Sequence, residues 1–376
     1  MIFANKFEKI KKEIKKHKYV YITLFIVFVL GVFLRVYNFG PWLHFELDQA
    51  RDVFVVQDAV KNGVENLPLL GPQARGKDLN LGPIFYYFSY FSSWIFGTSP
   101  ESMALPDLLF SIFSIPLFYL FARLFLFGRW TAVSISAILS TSLFLVTYGR
   151  FAWNPNGMFF WSMVTFYSLL KAYEDRELNA KWFLLFIFGF GVLTQLHFIA
   201  FVSAPLAVLF YLATVRIRIP WRIVLGSFFI LLFLYSPVIL SEIKTKGRNI
   251  DSFLEAVKLS DGIETVDDKE AGVNRGFAEK TLRAFQETST FYWNIISSDN
   301  NGGYNIRIKK DNQKFFRIVC NENCKNNLGH HFLAILIFVF SLGIFLFSFV
   351  KIFNKKRSKN DLVAENIFNR YLLLFF

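Results

Sequence analysis

The sequence predicts an all-α polytopic membrane protein. Three observations carry that expectation. Hydrophobic residues make up 54% of the chain and charged residues 18%, whereas a soluble domain is about 45–50% apolar and about 25% charged. Phe alone supplies 49 of the 376 residues, and the mean hydropathy is +0.39. The apolar residues gather in long blocks, close to the roughly 20 residues a helix needs to cross a bilayer. Soluble helical proteins do not use so many near-continuous apolar blocks.

The first block follows a basic N-terminus, KFEKIKKEIKKHK. A cleavable signal would continue into a small-x-small site; Arg35, Tyr37 and Asn38 follow instead. Residues 1–18 are therefore expected in the cytoplasm, ahead of an uncleaved anchor. The candidate spans are 19–38, 104–126, 130–149, 157–173, 181–197, 199–215, 221–240 and 331–351. With residue 1 inside, the inside connections are Arg123–Arg129, Lys171–Lys181, Arg216–Arg222 and Lys351–Lys359. Each carries Lys or Arg, as the positive-inside rule requires. The net charge of +13 is thus read as setting topology, and no nucleic-acid motif appears.

Two larger segments then fall outside. Residues 39–103 form the first. Within it, 47–61 reads as a helix that Gly63 can cap. Asp48, Arg51, Asp52 and Asp58 share an arc of about 120°, with Ala50, Val53, Phe54 and Val60 opposite. Turn formers follow in LPLLGPQARGKDLNLGP, and then the aromatic stretch 84–97, expected to lie along or dip into the membrane surface. Residues 241–330 form the second outside segment, polar, with a helix-like EKTLRAFQETSTFYWNII, expected as a small cap. It holds Cys320 and Cys324, for which a disulfide, free thiols or, with His330 and His331, a zinc site all stay open. Residues 331–376 are expected to hold further membrane-spanning structure. The final NRYLLLFF starts an apolar block only six residues long from Tyr371, so the natural protein is expected to continue.

Several polar residues crowd at the outer ends of the spans. Asp48, Arg51 and Asp52 can be a solvated helix face, or an acid/base and anion-binding site, since ionisable groups at membrane depth are functional candidates and Arg binds phosphate bidentately. Arg150, in GRFAWNPNG, lies on the side where arginine is disfavoured. Pro155 is expected to open a helix with Asn154 as N-cap, and a helix N-terminus beside Arg150 would attract an anion. Gln195 and His197, in TQLHF, can serve helix–helix hydrogen bonding or contact substrate. The chain contains no P-loop and no HExxH, so no nucleotide energy source is indicated.

The order of these features resembles the GT-C membrane glycosyltransferases, specifically the family 39 protein O-mannosyltransferase and aminoarabinose-transferase-like group, in a bacterial branch. LDQARDVFVVQDAVKNG is similar to that family's acidic loop helix. PLLGP and LGPIFYYF resemble the segment after it, and GRFAWNPNGMFF and GVLTQLHF its later elements. The resemblance covers about residues 19–240 and implies a GT-C-like module whose catalytic loop is 39–103. It also implies sugar transfer from a polyprenyl-phosphate carrier to a protein, lipid or glycan acceptor on the external face of the cell membrane. Asp48 would be the catalytic residue. Arg51, Asp52, Arg150, Asn154, Asn156, Gln195 and His197 would bind substrate or phosphate. Gln49 stands where the family has Glu, and Gly82 precedes Pro83 where the aminoarabinose enzymes have Lys; Arg75 or Lys77 would have to substitute. No cofactor is expected beyond the lipid-linked sugar, although Asp48 and Asp52 can in principle hold a divalent ion. A transporter or lipid flippase is the rival from another class, but it predicts charge at mid-span, whereas here charge crowds at the ends. A catalytically inactive relative is the third reading, kept open by Gln49.

Overall fold

A computed structural model describes residues 11–73, 79–125, 128–173, 178–215 and 219–259, the strands 307–311 and 314–319, and residues 8, 336, 339 and 343. Its helices, in chain order, are α1 (Lys18–Val36), α2 (Leu47–Asn62), α3 (Ile84–Phe96), α4 (Pro100–Phe125), α5 (Arg129–Thr141), α6 (Leu143–Tyr148), α7 (Met158–Ala172), α8 (Ala180–Leu196), α9 (Phe198–Val215), α10 (Trp221–Thr245) and α11 (Arg248–Leu259). Lys18–Val36, Pro100–Leu124 and Trp221–Thr245 are long and apolar enough to cross a membrane; Ala180–Leu196 and Phe198–Ala213 are shorter apolar helices. The expected all-α polytopic architecture is what the chain adopts. On α10, Phe228, Phe229 and Phe233 are exposed, as helices facing hydrocarbon require.

Two spines organise the bundle. α4 packs against α1, α3, α5 and α7, and α8 packs against α7, α9, α10 and α3. The largest core runs between them, built from Val53 and Val56 of α2, Tyr86 of α3, Met103 of α4, Trp161 of α7 and Leu193 and Leu196 of α8. Small residues allow the closest approach: a Cβ on Gly189 of α8 would meet Thr165 Oγ1 of α7 at 3.1 Å.

The expected span 130–149 is two helices. α5 stops at Thr141, Ser142 takes ψ 118°, and its hydroxyl accepts the Leu145 N–H at 3.5 Å. A helix end leaves carbonyls without internal partners. Arg35, 2% exposed on α1, donates to one of the last carbonyls of α5, Ser140 O, at 2.7 Å. The same guanidinium donates to Ser111 Oγ at 2.7 Å and Gly31 O at 3.0 Å. The break in α5 and the buried arginine thus satisfy one another.

In the segment expected as an outer cap, α10 runs on to Thr245 and α11 follows. Two antiparallel strands, β1 (Arg307–Asp311) and β2 (Lys314–Val319), pair Arg307 with Val319 and Ile308 with Ile318. The all-α expectation does not include this hairpin. Cys320, Cys324, His330, His331 and the helix-like stretch 279–296 lie outside the described residues, as do Arg75 and Lys77. Of the expected span 331–351, residues 336, 339 and 343 are described, and all are helical.

Candidate active site

The site is built from the N-terminus of α2. Glu46 is the N-cap, and its backbone N–H donates to Gln49 Oε1 at 3.0 Å, one arm of a capping box. Glu or Gln can fill that position equally well. Gln49, where the resembled family has Glu, therefore keeps the local role that fixes the helix start. Gly63, at φ 117°, ends α2 as the sequence predicts.

The buried face of α2 differs from the expected one. Gln49, Asp52, Val53, Val56 and Ala59 turn inward, while Phe54 is exposed. Asp52 is 0% exposed, with both of its hydrogen bonds on Oδ1 and its Oδ2 unpartnered. Tyr86 Oη of α3 donates to Asp52 Oδ1 at 2.8 Å, and Arg51 Nε donates to the same oxygen at 2.8 Å. Arg51 Nη1 donates to Asp48 Oδ1 at 3.1 Å. Arg51 therefore bridges one buried and one exposed carboxylate. Burial pushes the Asp52 pKa up, and the hydrogen bonds from Arg51 and Tyr86 offset this only in part. The hydrogen bond to Asp52 holds the Arg51 pKa above its usual value. Burial, then the charge of Asp52, raises that of Tyr86.

The sign of the Asp52 effect is testable. A carboxyl whose folded pKa is raised binds its proton more tightly when folded. Its stability contribution is present below the unfolded value, near pH 4, and is lost as pH rises through the folded one. Asp52→Asn should flatten the fall in thermal midpoint as pH is raised from about 4. A mutant slope matching the wild type would sink this assignment.

Asp48 opens onto a cleft of about 600 Å³ lined by His44, Glu46, Leu47, Asp48, Gln49, Thr147, Tyr148, Phe151 and Trp153. His44 Nε2 lies 3.4 Å from Glu46 Oε1. The sequence reading missed His44, Glu46 and Tyr86. The Glu-x-x-Gln capping pattern could have revealed Glu46; nothing local marks Tyr86. Among the described residues there is no group of three or more His, Cys, Asp or Glu side chains able to hold a metal ion.

The other expected site residues lie on the α6–α7 turn and the α8–α9 turn. Arg150 is 6% exposed. Its Nη1 donates to Leu34 O at 2.9 Å and its Nη2 to Asn38 O at 2.7 Å, with the guanidinium carbon 5.7 Å from the Trp42 ring centre. It thereby closes the carbonyl end of α1, and a phosphate would have to compete with those bonds. Arg150→Lys cannot reproduce both and should cost about 1–3 kcal/mol, read as a lowered unfolding midpoint in detergent.

Asn154 is not an N-cap. α7 starts at Met158 after Gly157, and residues 154–157 form a turn in which Met158 N–H donates to Pro155 O at 3.0 Å. The reason is a competing partner: Asn154 Nδ2 donates across to Leu196 O at the end of α8, at 2.8 Å. Asn156 Nδ2 donates to Phe151 O at 2.8 Å, and Trp153 N–H donates to buried Asp107 Oδ2 at 3.0 Å. Gln195, 1% exposed, donates from Nε2 to Gly191 O and Leu234 O, each at 3.1 Å. His197 Nδ1 accepts the Ile199 N–H at 3.2 Å, at the start of α9. The structure thus joins Asp48, Arg51 and Asp52 in one network. Asn154 follows Trp153, which lines the cleft, and Gln195 precedes Leu196, the carbonyl of which accepts from Asn154.

Comparison with known families finds a match over part of the chain. Residues 80–240 match the family model described as Dolichyl-phosphate-mannose-protein mannosyltransferase. The match spans less than half of the chain, and over those residues it bears out the resemblance read from the sequence. Arg150, Asn154, Asn156, Gln195 and His197 fall within it; Asp48, Arg51 and Asp52 precede it. No curated protein matches the chain.

Proposed function

We propose that the protein transfers a sugar from a polyprenyl-phosphate carrier to a hydroxyl acceptor on the external face of the cell membrane, with inversion at the anomeric carbon. The external placement rests on the basic inside connections of the sequence. The observation that carries the reaction is the Asp48–Arg51–Asp52 network at the mouth of the cleft. Asp48 is half-exposed and reaches the cleft. It takes the proton of the acceptor hydroxyl as that oxygen attacks the anomeric carbon. The bond from that carbon to the carrier phosphate breaks, and the leaving phosphate keeps the electron pair. A single displacement of this kind inverts the centre, as when a base-activated water attacks in hydrolases.

Arg51 is assigned to the charge that grows on the leaving phosphate. It already lies between the two carboxylates and pairs with both. Asp52 does not meet substrate in this scheme. It fixes the direction of Arg51, and Tyr86 fixes Asp52. The test is transfer by the purified full chain from a polyprenyl-phosphate sugar, with products identified by mass spectrometry. Movement of the lipid across vesicles without covalent transfer would overturn the reading in favour of a flippase.

A further inference from the structure

A second chamber, of about 470 Å³, lies between the end of α8, the start of α9, the end of α10 and the start of α11. That is within the range of ligand-binding cavities, about 300–1,000 Å³. Phe198, Phe201, Val238, Ile239, Ile243 and Phe253 give it apolar walls. α11 closes one side. The Asn80 N–H donates to Asn249 Oδ1 at 2.7 Å, and Asn249 Nδ2 donates back to Asn80 O at 3.2 Å. The two hydrogen bonds tie α11 to the 79–82 segment. Lys246 and Gly247, at φ 56° and 87°, turn the chain sharply into α11.

The buried side-chain atoms of the wall that lack a partner are both acceptors. Gln195 Oε1 and Glu242 Oε1 are buried acceptors without a donor. The Gln195 amide cannot simply turn over, because Nε2 already serves two carbonyls. No Lys, Arg or His lines the chamber among the described residues. A buried acceptor that lacks a donor is costly. A phosphate brings more acceptors and a negative charge towards Glu242. A hydroxyl or amine brings the missing donor.

We propose that this chamber binds an amphiphile with an apolar chain and a hydrogen-bond-donating headgroup, and that it discriminates against a lipid phosphate. Its identity as the acceptor seat rests on the transfer reaction proposed above; the binding itself does not. Gln195 of the chamber precedes Leu196, the carbonyl of which accepts from Asn154, the residue after Trp153 of the cleft.

The test is photolabelling of the full chain in phosphatidylcholine nanodiscs with a diazirine-bearing long-chain alcohol, with labelled peptides mapped by mass spectrometry. Label should concentrate on peptides holding Phe198, Phe201, Val238 and Phe253. Dodecanol and dodecylamine should displace it, and dodecyl phosphate at the same concentration should not. Val238→Trp, which fills the chamber, should cut labelling at least about tenfold, the equivalent of about 1.4 kcal/mol of binding. If that variant does not fold, Ile250→Trp on α11 provides the same reading. Glu242→Gln should weaken displacement by the amine more than by the alcohol. Equal displacement by dodecyl phosphate, or labelling that survives both tryptophan variants, overturns the proposal. An Asp48→Asn protein that labels normally but transfers nothing separates this binding from the chemistry.

Discussion

The Asp48→Asn protein should transfer sugar about 10²–10⁴-fold more slowly than the wild type, the usual contribution of a positioned acid–base group. The loss should fall on kcat and leave KM for the lipid donor nearly unchanged, because the group acts on a proton in flight and not on the bound carrier. Asparagine is nearly isosteric, and its carbonyl oxygen can still accept from Arg51 Nη1, which now lies 3.1 Å from Asp48 Oδ1. It cannot take the acceptor proton. Asp48 is more than half exposed, so the change should move the unfolding midpoint little. Asp52→Asn offers the internal control. Asp52 is fully buried and touches Arg51 and Tyr86 rather than the cleft. Its replacement should alter the stability–pH profile more than the chemistry. If Asp48→Asn kept full transfer, or if the two variants lost activity equally, the base would have to be sought elsewhere. Glu46, beside Asp48 in the same cleft, would be the next candidate.

The helices were legible because block length and turn residues speak directly to span length. The expected spans 157–173, 181–197 and 199–215 fall within one or two residues of α7, α8 and α9. The break at Ser142 was not legible. No Gly or Pro interrupts the 130–149 block at that point; the partner that accommodates the break is Arg35, more than a hundred residues earlier in the chain. Asp52 shows the same limit. A helical wheel places it on the polar arc of α2, but the wheel cannot see Tyr86, which arrives on α3 and makes the inward face habitable for a carboxylate. Asn154 was misassigned as a cap because local pattern favoured it, while the Leu196 carbonyl at the end of α8 takes its amide instead. In each case a side chain was claimed by a backbone or hydroxyl group distant in sequence, a kind of contact that composition and periodicity do not encode.

Gly82→Ala should be strongly destabilising for a change of a single methyl group. A Cβ there would overlap Gln195 Cγ and lie 2.5 Å from Oε1 and 2.7 Å from Cβ of the same residue. Gln195 cannot retreat freely: its amide is pinned to α8 and α10 through Gly191 O and Leu234 O. On the other side, Gly71 packs against the Gly82 carbonyl, and Gly71 N–H to Leu81 O at 2.8 Å ties the two ends of the loop. The added methyl therefore forces either a buried amide off its carbonyls or the loop off its pairing. Overpacking of this kind costs about 1–3 kcal/mol. A double-mutant cycle decides the cause. Gln195→Ala alone removes the obstruction but leaves Leu234 O without its donor, so it too should destabilise. Together, Gly82→Ala and Gln195→Ala should cost clearly less than the sum of the single changes, since the methyl enters space the amide has vacated. Unfolding midpoints in detergent for the four proteins supply the coupling. Strict additivity would mean that Gly82 is required for its backbone path and not for the side chain that lies against it.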